Sequence, residues 1–450
     1  MLKPEIKSHP PGPRASSVIN KENEYLATTT KHLPVVIKKA KGAIIEDIDG
    51  NQFLDFTSGV AVTNIGHCHP IVVEAIKQQV EKFLYFAGTD FSYELQAELA
   101  EKLAQITPGS FSKKVFFSNS GAEAIEAAIK LTKQSRKRHQ FIGFIGAFHG
   151  RTLGANAFIG CKTVQRKNYF PMLPGVLQLP YAYCYRCPYH EKFPQCDVWC
   201  AKIIEEIYFQ QIIAPDEVGA ILVEPIQGEG GYIVPPDRFL QELYRIAKKY
   251  GILFIADEIQ TGLGRTGKMF AVEYPEIEPD IITIAKGIAS GLPMGATVFN
   301  SQYDFQEKGA HSNTFGGNPV CSAAALANLQ VIQEEKLTEK ALEQGNFMKA
   351  QLTSLQKQYD FIGDVRGRGM FVACEFVLNK KTKTPAVELV DDLVKYAFSK
   401  GLILIQCGRS SIRLIPPLNI PQNQLEIGLE IFKDATKYVA QRFKRYRRSA

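Results

Sequence analysis

The chain has 450 residues, 45% apolar, 10% aromatic and 22% charged, ordinary globular usage that excludes a disordered or fibrous protein. Its net charge is +7, but Arg442, Lys444, Arg445, Arg447 and Arg448 supply five of those charges at one end, so the body is near neutral and offers no nucleic-acid groove. No apolar run reaches the roughly 18 residues of a membrane helix, and the Pro-rich opening has no apolar stretch of a secretory signal. The expectation is a cytoplasmic protein without nucleic-acid or membrane partners.

In chain order, residues 43–55 alternate in polarity around Asp49-Gly50, a hairpin signal. Apolar runs then alternate with helical patterns, the signature of βαβ units and a mostly parallel sheet. The predicted strands are Lys113–Phe117, Gln140–Gly146, Val218–Val223, Gly251–Ala256, Asp280–Ala285 and Ala296–Phe299, with helices over Gly121–Lys133 and Pro236–Lys249. These runs are almost continuously apolar, as strands covered on both faces are. From about residue 331 the pattern predicts a helix, strands near 370–376, 402–406 and 411–414, and a final amphipathic helix. The reading is an α/β protein with a large domain over residues 59–330. A small α+β domain combines an N-terminal segment, 1–58, with residues 331–450.

Two ionisable residues stand out. One apolar run leads straight into Asp257 and another into Lys286, so opposite charges sit at the carboxyl ends of two buried strands, where open α/β sheets place ligand sites. A lysine in an apolar site has its pKa lowered and can form a Schiff base. With pyridoxal phosphate such a lysine needs an acidic partner for the ring nitrogen and a phosphate site. Ser120, Gly121 and Ala122 open a helix directly after a strand, which suits a phosphate; Ser120 with Glu123 also reads simply as a capping box. The GxGxxG match at Gly262–Gly267 neither follows its strand directly nor opens a helix, so no dinucleotide site is expected there.

Eight motifs then occur in register. They include Gly66–Pro70, Ser120–Ala124, Phe148–Arg151, Glu224–Gly231, Asp257–Gly267, Thr314–Pro319, Gly363–Gly367 and Gly401–Leu404. Together they resemble the class III (ω-amino acid) aminotransferases of the fold-type-I pyridoxal phosphate enzymes, closest to the 4-aminobutyrate aminotransferase branch, over about residues 40–435. The resemblance implies a mostly parallel seven-stranded sheet, pyridoxal 5′-phosphate as cofactor, and a homodimer or a tetramer built from it. It makes Lys286 the Schiff-base lysine and proton carrier, and Asp257 the partner of the pyridine nitrogen. Gln260 would bond the phenolic oxygen, Gly121 and Ala122 the phosphate, and Phe148 would stack on the ring. Thr314 would reach the phosphate in the neighbouring subunit.

The same resemblance points to a substrate. Arg413 matches the arginine that takes the α-carboxylate of 2-oxoglutarate, Glu229 the glutamate that covers it when an ω-amino donor is bound, and Arg151 the arginine for the distal carboxylate. Val60 stands where ornithine enzymes of the family have a tyrosine, which favours the methylene chain of 4-aminobutyrate. The expected reaction is transamination of 4-aminobutyrate with 2-oxoglutarate, giving the semialdehyde and L-glutamate. An α-amino acid racemase or epimerase of the same family, or an ornithine or lysine ω-aminotransferase, is the alternative; a binding protein for acidic partners is the reading outside enzymes. Cys184, Cys187, Cys196 and Cys200, spaced CxxC then CxxxC, are open to three readings: a zinc site, disulfides, or a reduced packed loop. No metal is assigned.

Overall fold

The computed structural model describes residues 3–448. It falls into two compact units, one spanning Ile71–Glu339, the other drawing on both ends of the chain, up to Pro70 and from Lys340 onward.

The larger unit is organised by a seven-stranded sheet. Its strands are β1 (Lys113–Ser118), β2 (Gln140–Phe144), β3 (Val176–Leu179), β4 (Val218–Val223), β5 (Leu253–Asp257), β6 (Ile281–Ile284) and β7 (Gly295–Asn300), in the order β1-β7-β6-β5-β4-β2-β3. Only β7 runs against its neighbours. Every residue of β4, β5 and β6 is buried, which explains their unbroken Val, Ile, Leu and Phe content. Helix α1 (Gly121–Arg136) lays Ile125, Ala128 and Leu131 against Phe141, Leu222, Ile255 and Ile281 of the sheet, each large side chain contributing about 1.5–3 kcal/mol by leaving water. Helix α2 (Asp237–Tyr250) buries Phe239, Leu243 and Ile246, and Gly251 closes it at φ 62°. Gly251 therefore caps a helix, and β5 starts two residues later than the apolar run suggests. Likewise β2 stops at Phe144, because Gly146 turns the chain at φ 91°.

In the other unit, Ile44–Asp47 and Gln52–Asp55 form the expected hairpin, with Gly50 at φ 88° in the turn. Ile37–Lys41 and Leu402–Ile403 extend it to four strands. Asp49 also accepts hydrogen bonds from the backbone of Arg14 and Ala15 (3.0 and 2.9 Å), capping a helix over Pro13–Tyr25 that the sequence pattern did not reveal. A second sheet joins Ile362–Arg368, Phe371–Asn379, Ser411–Leu414 and Ile405–Cys407, and Leu337–Gln358, which starts just before the unit's boundary, Val387–Ser399 and Gln422–Ala440 are long helices of this unit. Among the described residues no helix is long and apolar enough to cross a membrane. The side chain of Arg448 lies outside the described residues.

Candidate active site

The carboxyl edge of the large sheet gathers the chemistry. Asp257 ends β5 opposite Thr283 of β6 and is 3% exposed. Two residues beyond β6, Lys286 opens a short 3-10 turn with its backbone at φ 47°, a left-handed conformation that costs a lysine of order 1–3 kcal/mol and marks a site held by its surroundings. The holder is Asn328: fully buried on the helix Pro319–Glu334, it donates to the carbonyls of Gly287 (2.9 Å) and Ile288 (3.0 Å). Thus the lysine's backbone is fixed by a buried amide that no motif announced.

Asp257 accepts from the Ile259 N–H at 2.9 Å and binds His149 Nδ1 at 2.6 Å. Burial alone would depress the His149 pKa, but the hydrogen bond and charge of Asp257, with the charge of Glu224 behind them, raise it. His149 thus backs Asp257 as a donor, its own Nε2 having no protein partner among the described residues. Glu224, directly after β4, accepts from the N–H groups of Phe148 (2.9 Å) and Gly228 (2.8 Å). Burial above all pushes its carboxyl up to about 7, Asp257 adding to the rise and His149 with the two backbone donors opposing it. His149 and Glu224 lie inside the Phe148–Arg151 and Glu224–Gly231 motifs, but no local pattern marks their roles, because their partners are 108 and 76 positions away.

At the start of α1, Ser120 caps the helix by accepting from the Glu123 N–H at 3.2 Å. The return bond of a capping box is displaced by one residue: Glu123 accepts from the backbone and side chain of Asn119 (2.7 and 2.9 Å). The first-turn N–H groups of Gly121 and Ala122 are those that a helix cannot satisfy internally. Neighbours press closely on them. A Cβ on Gly121 would stand 2.8 Å from Ile259, and one on Gly150, at φ 130°, would stand 2.5 Å from the Ala122 Cβ. Glycines therefore draw the turn after Asp257 and the loop around His149 together at the head of α1.

The remaining predicted residues fall as follows. Phe148 is half-buried, with the Arg151 guanidinium 5.4 Å from its ring centre. Arg151 is exposed and, among the described residues, has no acidic partner. Gln260 is 8% exposed, its Oε1 unpartnered, and lies where a Cβ on Gly228 would meet it at 2.2 Å. The Glu229 carboxylate receives the Lys162 ammonium at 2.6 Å, a contact with no signal in the sequence. Thr314 is exposed, in a segment pinned to β1 by Asn313 donating to the Phe117 carbonyl at 2.7 Å. In the other unit, Arg413 is 5% exposed on the strand Ser411–Leu414, opposite Ala373 and Ile405. Val60 lies in a turn where Ser58 to Ala61 all have positive φ, 67° at Val60 itself, a strained backbone for a β-branched residue. After Gly262–Gly267 the chain continues in turns to a single 3-10 turn over Ala271–Glu273. All nine cysteines are free. Burial, followed by Cys184, Cys196 and Cys187, pushes the Cys200 thiol up to about 12, and among the described residues no group of side chains is arranged as a metal site.

The larger unit's residues fit pyridoxal phosphate. A buried carboxylate backed by a histidine suits a protonated ring nitrogen, the unpartnered Gln260 Oε1 lies on the turn after it, and glycines leave room where α1 offers its N–H groups.

A lysine and a buried aspartate at adjacent strand ends, beside a helix N-terminus, are the groups that a fold-type-I pyridoxal phosphate enzyme needs. The family described as aminotransferase class-III matches residues 25–436. The chain is 39% identical to an alanine/serine racemase of Pyrococcus horikoshii, across 96% of this chain and 93% of that protein. It is 37% identical to a probable 4-aminobutyrate aminotransferase of Bacillus subtilis, across 88% and 91%. The ω-transaminase of Pseudomonas jessenii, solved in complex with PMP, superposes with a TM-score of 0.88 at 27% identity, across 94% and 98%. The chain belongs to the class III aminotransferase family. It is a pyridoxal-phosphate-dependent enzyme of the aminotransferase kind, acting on amino and keto acids.

Proposed function

We propose that this enzyme moves the ω-amino group of 4-aminobutyrate to 2-oxoglutarate, yielding the semialdehyde and L-glutamate. The observation that carries this reading is Arg151: a guanidinium without an acidic partner, stacked on Phe148 one residue from the glycine that packs on Ala122. Its planar fork suits a carboxylate held at a distance from the reacting carbon.

Bound pyridoxal phosphate supplies an electron sink for the carbon that bears the amino group. Lys286 carries the cofactor and moves the proton at that carbon. Asp257, backed by His149, keeps the ring nitrogen protonated. Gln260 bonds the phenolic oxygen and Phe148 covers the ring face, while Ser120, Gly121 and Ala122 hold the phosphate. Arg413 takes the α-carboxylate of glutamate or 2-oxoglutarate. Glu229 serves the donor that brings no α-carboxylate, and Val60 suits the methylene chain. Thr314 completes the phosphate site of a second subunit. The exposed rings of Tyr85, Phe86, Phe91 and Phe315 form an apolar patch near it that supports a homodimer.

A second reading, an α-amino acid racemase, is supported by the racemase relative's match to 96% of the chain. One assay separates the two. The holoenzyme is incubated with 4-aminobutyrate, ornithine, lysine, L-alanine and L-leucine, with and without 2-oxoglutarate, while glutamate and substrate chirality are followed. Glutamate formed only with 4-aminobutyrate and 2-oxoglutarate together supports the transaminase. Inversion of L-alanine or L-leucine without 2-oxoglutarate would replace it with the racemase.

A further inference from the structure

We infer that Asn328 is a positioning residue for the proton transfer assigned to Lys286: its amide keeps the lysine's backbone left-handed and so fixes the direction in which the amine is presented. This rests on the reading of Lys286 as the lysine that carries the cofactor.

The Asn328 side-chain nitrogen uses both of its hydrogens on the peptides just after the lysine. One goes to the Gly287 carbonyl (2.9 Å) and one to the Ile288 carbonyl (3.0 Å). Its oxygen is buried and, among the described residues, has no partner. A buried acceptor in that state is a cost. Leucine has nearly the same shape and would fill this place beside the buried Leu329, Val331 and Ile332 without it. What asparagine offers here, and leucine does not, is the pair of donors. The helix that carries it is a firm support. Asn318 caps its start by accepting from the Cys321 N–H at 2.9 Å, and the Ser322 hydroxyl donates to the Gly317 carbonyl at 3.0 Å. The Cys321 thiol donates to the Pro293 carbonyl at 3.4 Å, so the helix also holds the far end of the segment that Lys286 opens. Inside the turn the Ile288 N–H donates to the Ala285 carbonyl at 3.2 Å, which leaves the next two carbonyls to Asn328.

The consequence is for rate rather than binding. A lysine at φ 47° relaxes toward negative φ unless its surroundings prevent it. That rotation would re-aim its side chain, and a displacement of about 1 Å is enough to cost on the order of 10²-fold. Asn328→Leu in the holoenzyme tests this with 4-aminobutyrate or L-alanine, whichever is turned over, hydrogenated or deuterated at the carbon bearing the amino group. The kcat is expected to fall roughly 10- to 100-fold with KM within about twofold, and the isotope effect on kcat should rise. Asn328→Ser is the second variant: it fits any space that asparagine fills, offers one donor, and should fall between the two. A further readout needs no substrate. The pH at which the bound cofactor's absorption changes should move by about half a unit or more, because the basicity of the lysine nitrogen depends on its surroundings. In Lys286→Ala, turnover restored by added methylamine should be the same with and without Asn328→Leu. An unchanged kcat and absorption titration in Asn328→Leu, a loss confined to KM, or a further loss in the methylamine-rescued background would overturn the inference. If Lys286→Ala abolishes turnover while Asn328→Leu changes nothing, only the role of Asn328 fails. If Lys286→Ala keeps substantial turnover, the reading of the lysine fails and this inference with it.

Discussion

The strand ends and the loops beside them build the same site by different means. At the strand ends, position alone selects the chemistry: β5 and β6 are buried throughout, so the first ionisable residues after their apolar runs, Asp257 and Lys286, emerge at one edge. In the loops around Gly146, Gly160 and Gly228–Gly230 there is no periodicity to read. There the fit depends on missing side chains, with glycines admitting contacts that a single methyl would close. A sheet edge is thus tolerant of sequence and sets where chemistry happens, whereas the glycine-packed loops are intolerant and set which groups meet.

Three substitutions test that contrast, from the largest expected effect down. Lys286→Ala should lose covalent retention of pyridoxal phosphate, read as cofactor passing free through gel filtration after borohydride treatment. Turnover should fall at least about 10⁴-fold, the upper range for loss of a positioned acid–base group. Substantial residual activity would mean that the strand end does not choose the lysine. In the loops, Gly230→Ala places a methyl 2.4 Å from the backbone oxygen of Gly146, a clash that cannot be relieved by a rotamer change. It is expected to cost about 1–3 kcal/mol of stability, checked by urea unfolding; a neutral result would show these loops to be pliable.

The smallest effect concerns pH. Burial foremost pushes the Glu258 carboxyl up to about 7, against hydrogen bonds from Thr261 and the Val272 N–H (2.8 Å). A carboxyl whose pKa is higher in the folded state favours the fold while protonated. Its contribution is complete below the ordinary value near 4.5 and is lost as pH rises through about 7. Glu258→Gln should therefore flatten the fall in melting temperature across that window. An unchanged slope would show that Glu258 does not titrate there.

Much of this was legible in the sequence, and the reason is physical. Buried parallel strands read as apolar runs and the hairpin at Asp49-Gly50 has its own turn chemistry, so the sheet, its order of elements and the positions of Asp257 and Lys286 followed. The strand Val176–Leu179 escaped individual notice because it is short and pairs on one side only, with β2. The capping box at Ser120 was half visible, since Glu123 turns to Asn119 instead. His149, Glu224, Asn328 and Lys162 were not legible as parts of the site. Each acts through a partner at least 40 positions away, and no local pattern encodes such a meeting. The strained backbones of Val60 and Lys286 were hidden too, because neither residue type advertises a positive φ.

The central claim is that a guanidinium near the head of α1 holds a distal carboxylate, and Arg151→Leu tests it most directly. Steady-state kinetics of the purified variant with 4-aminobutyrate and 2-oxoglutarate should show the KM of both raised at least about tenfold, the loss of one charge-assisted carboxylate contact. Any reaction with L-alanine, which has no distal carboxylate, should keep its KM. Unchanged KM values for 4-aminobutyrate and 2-oxoglutarate would contradict the account.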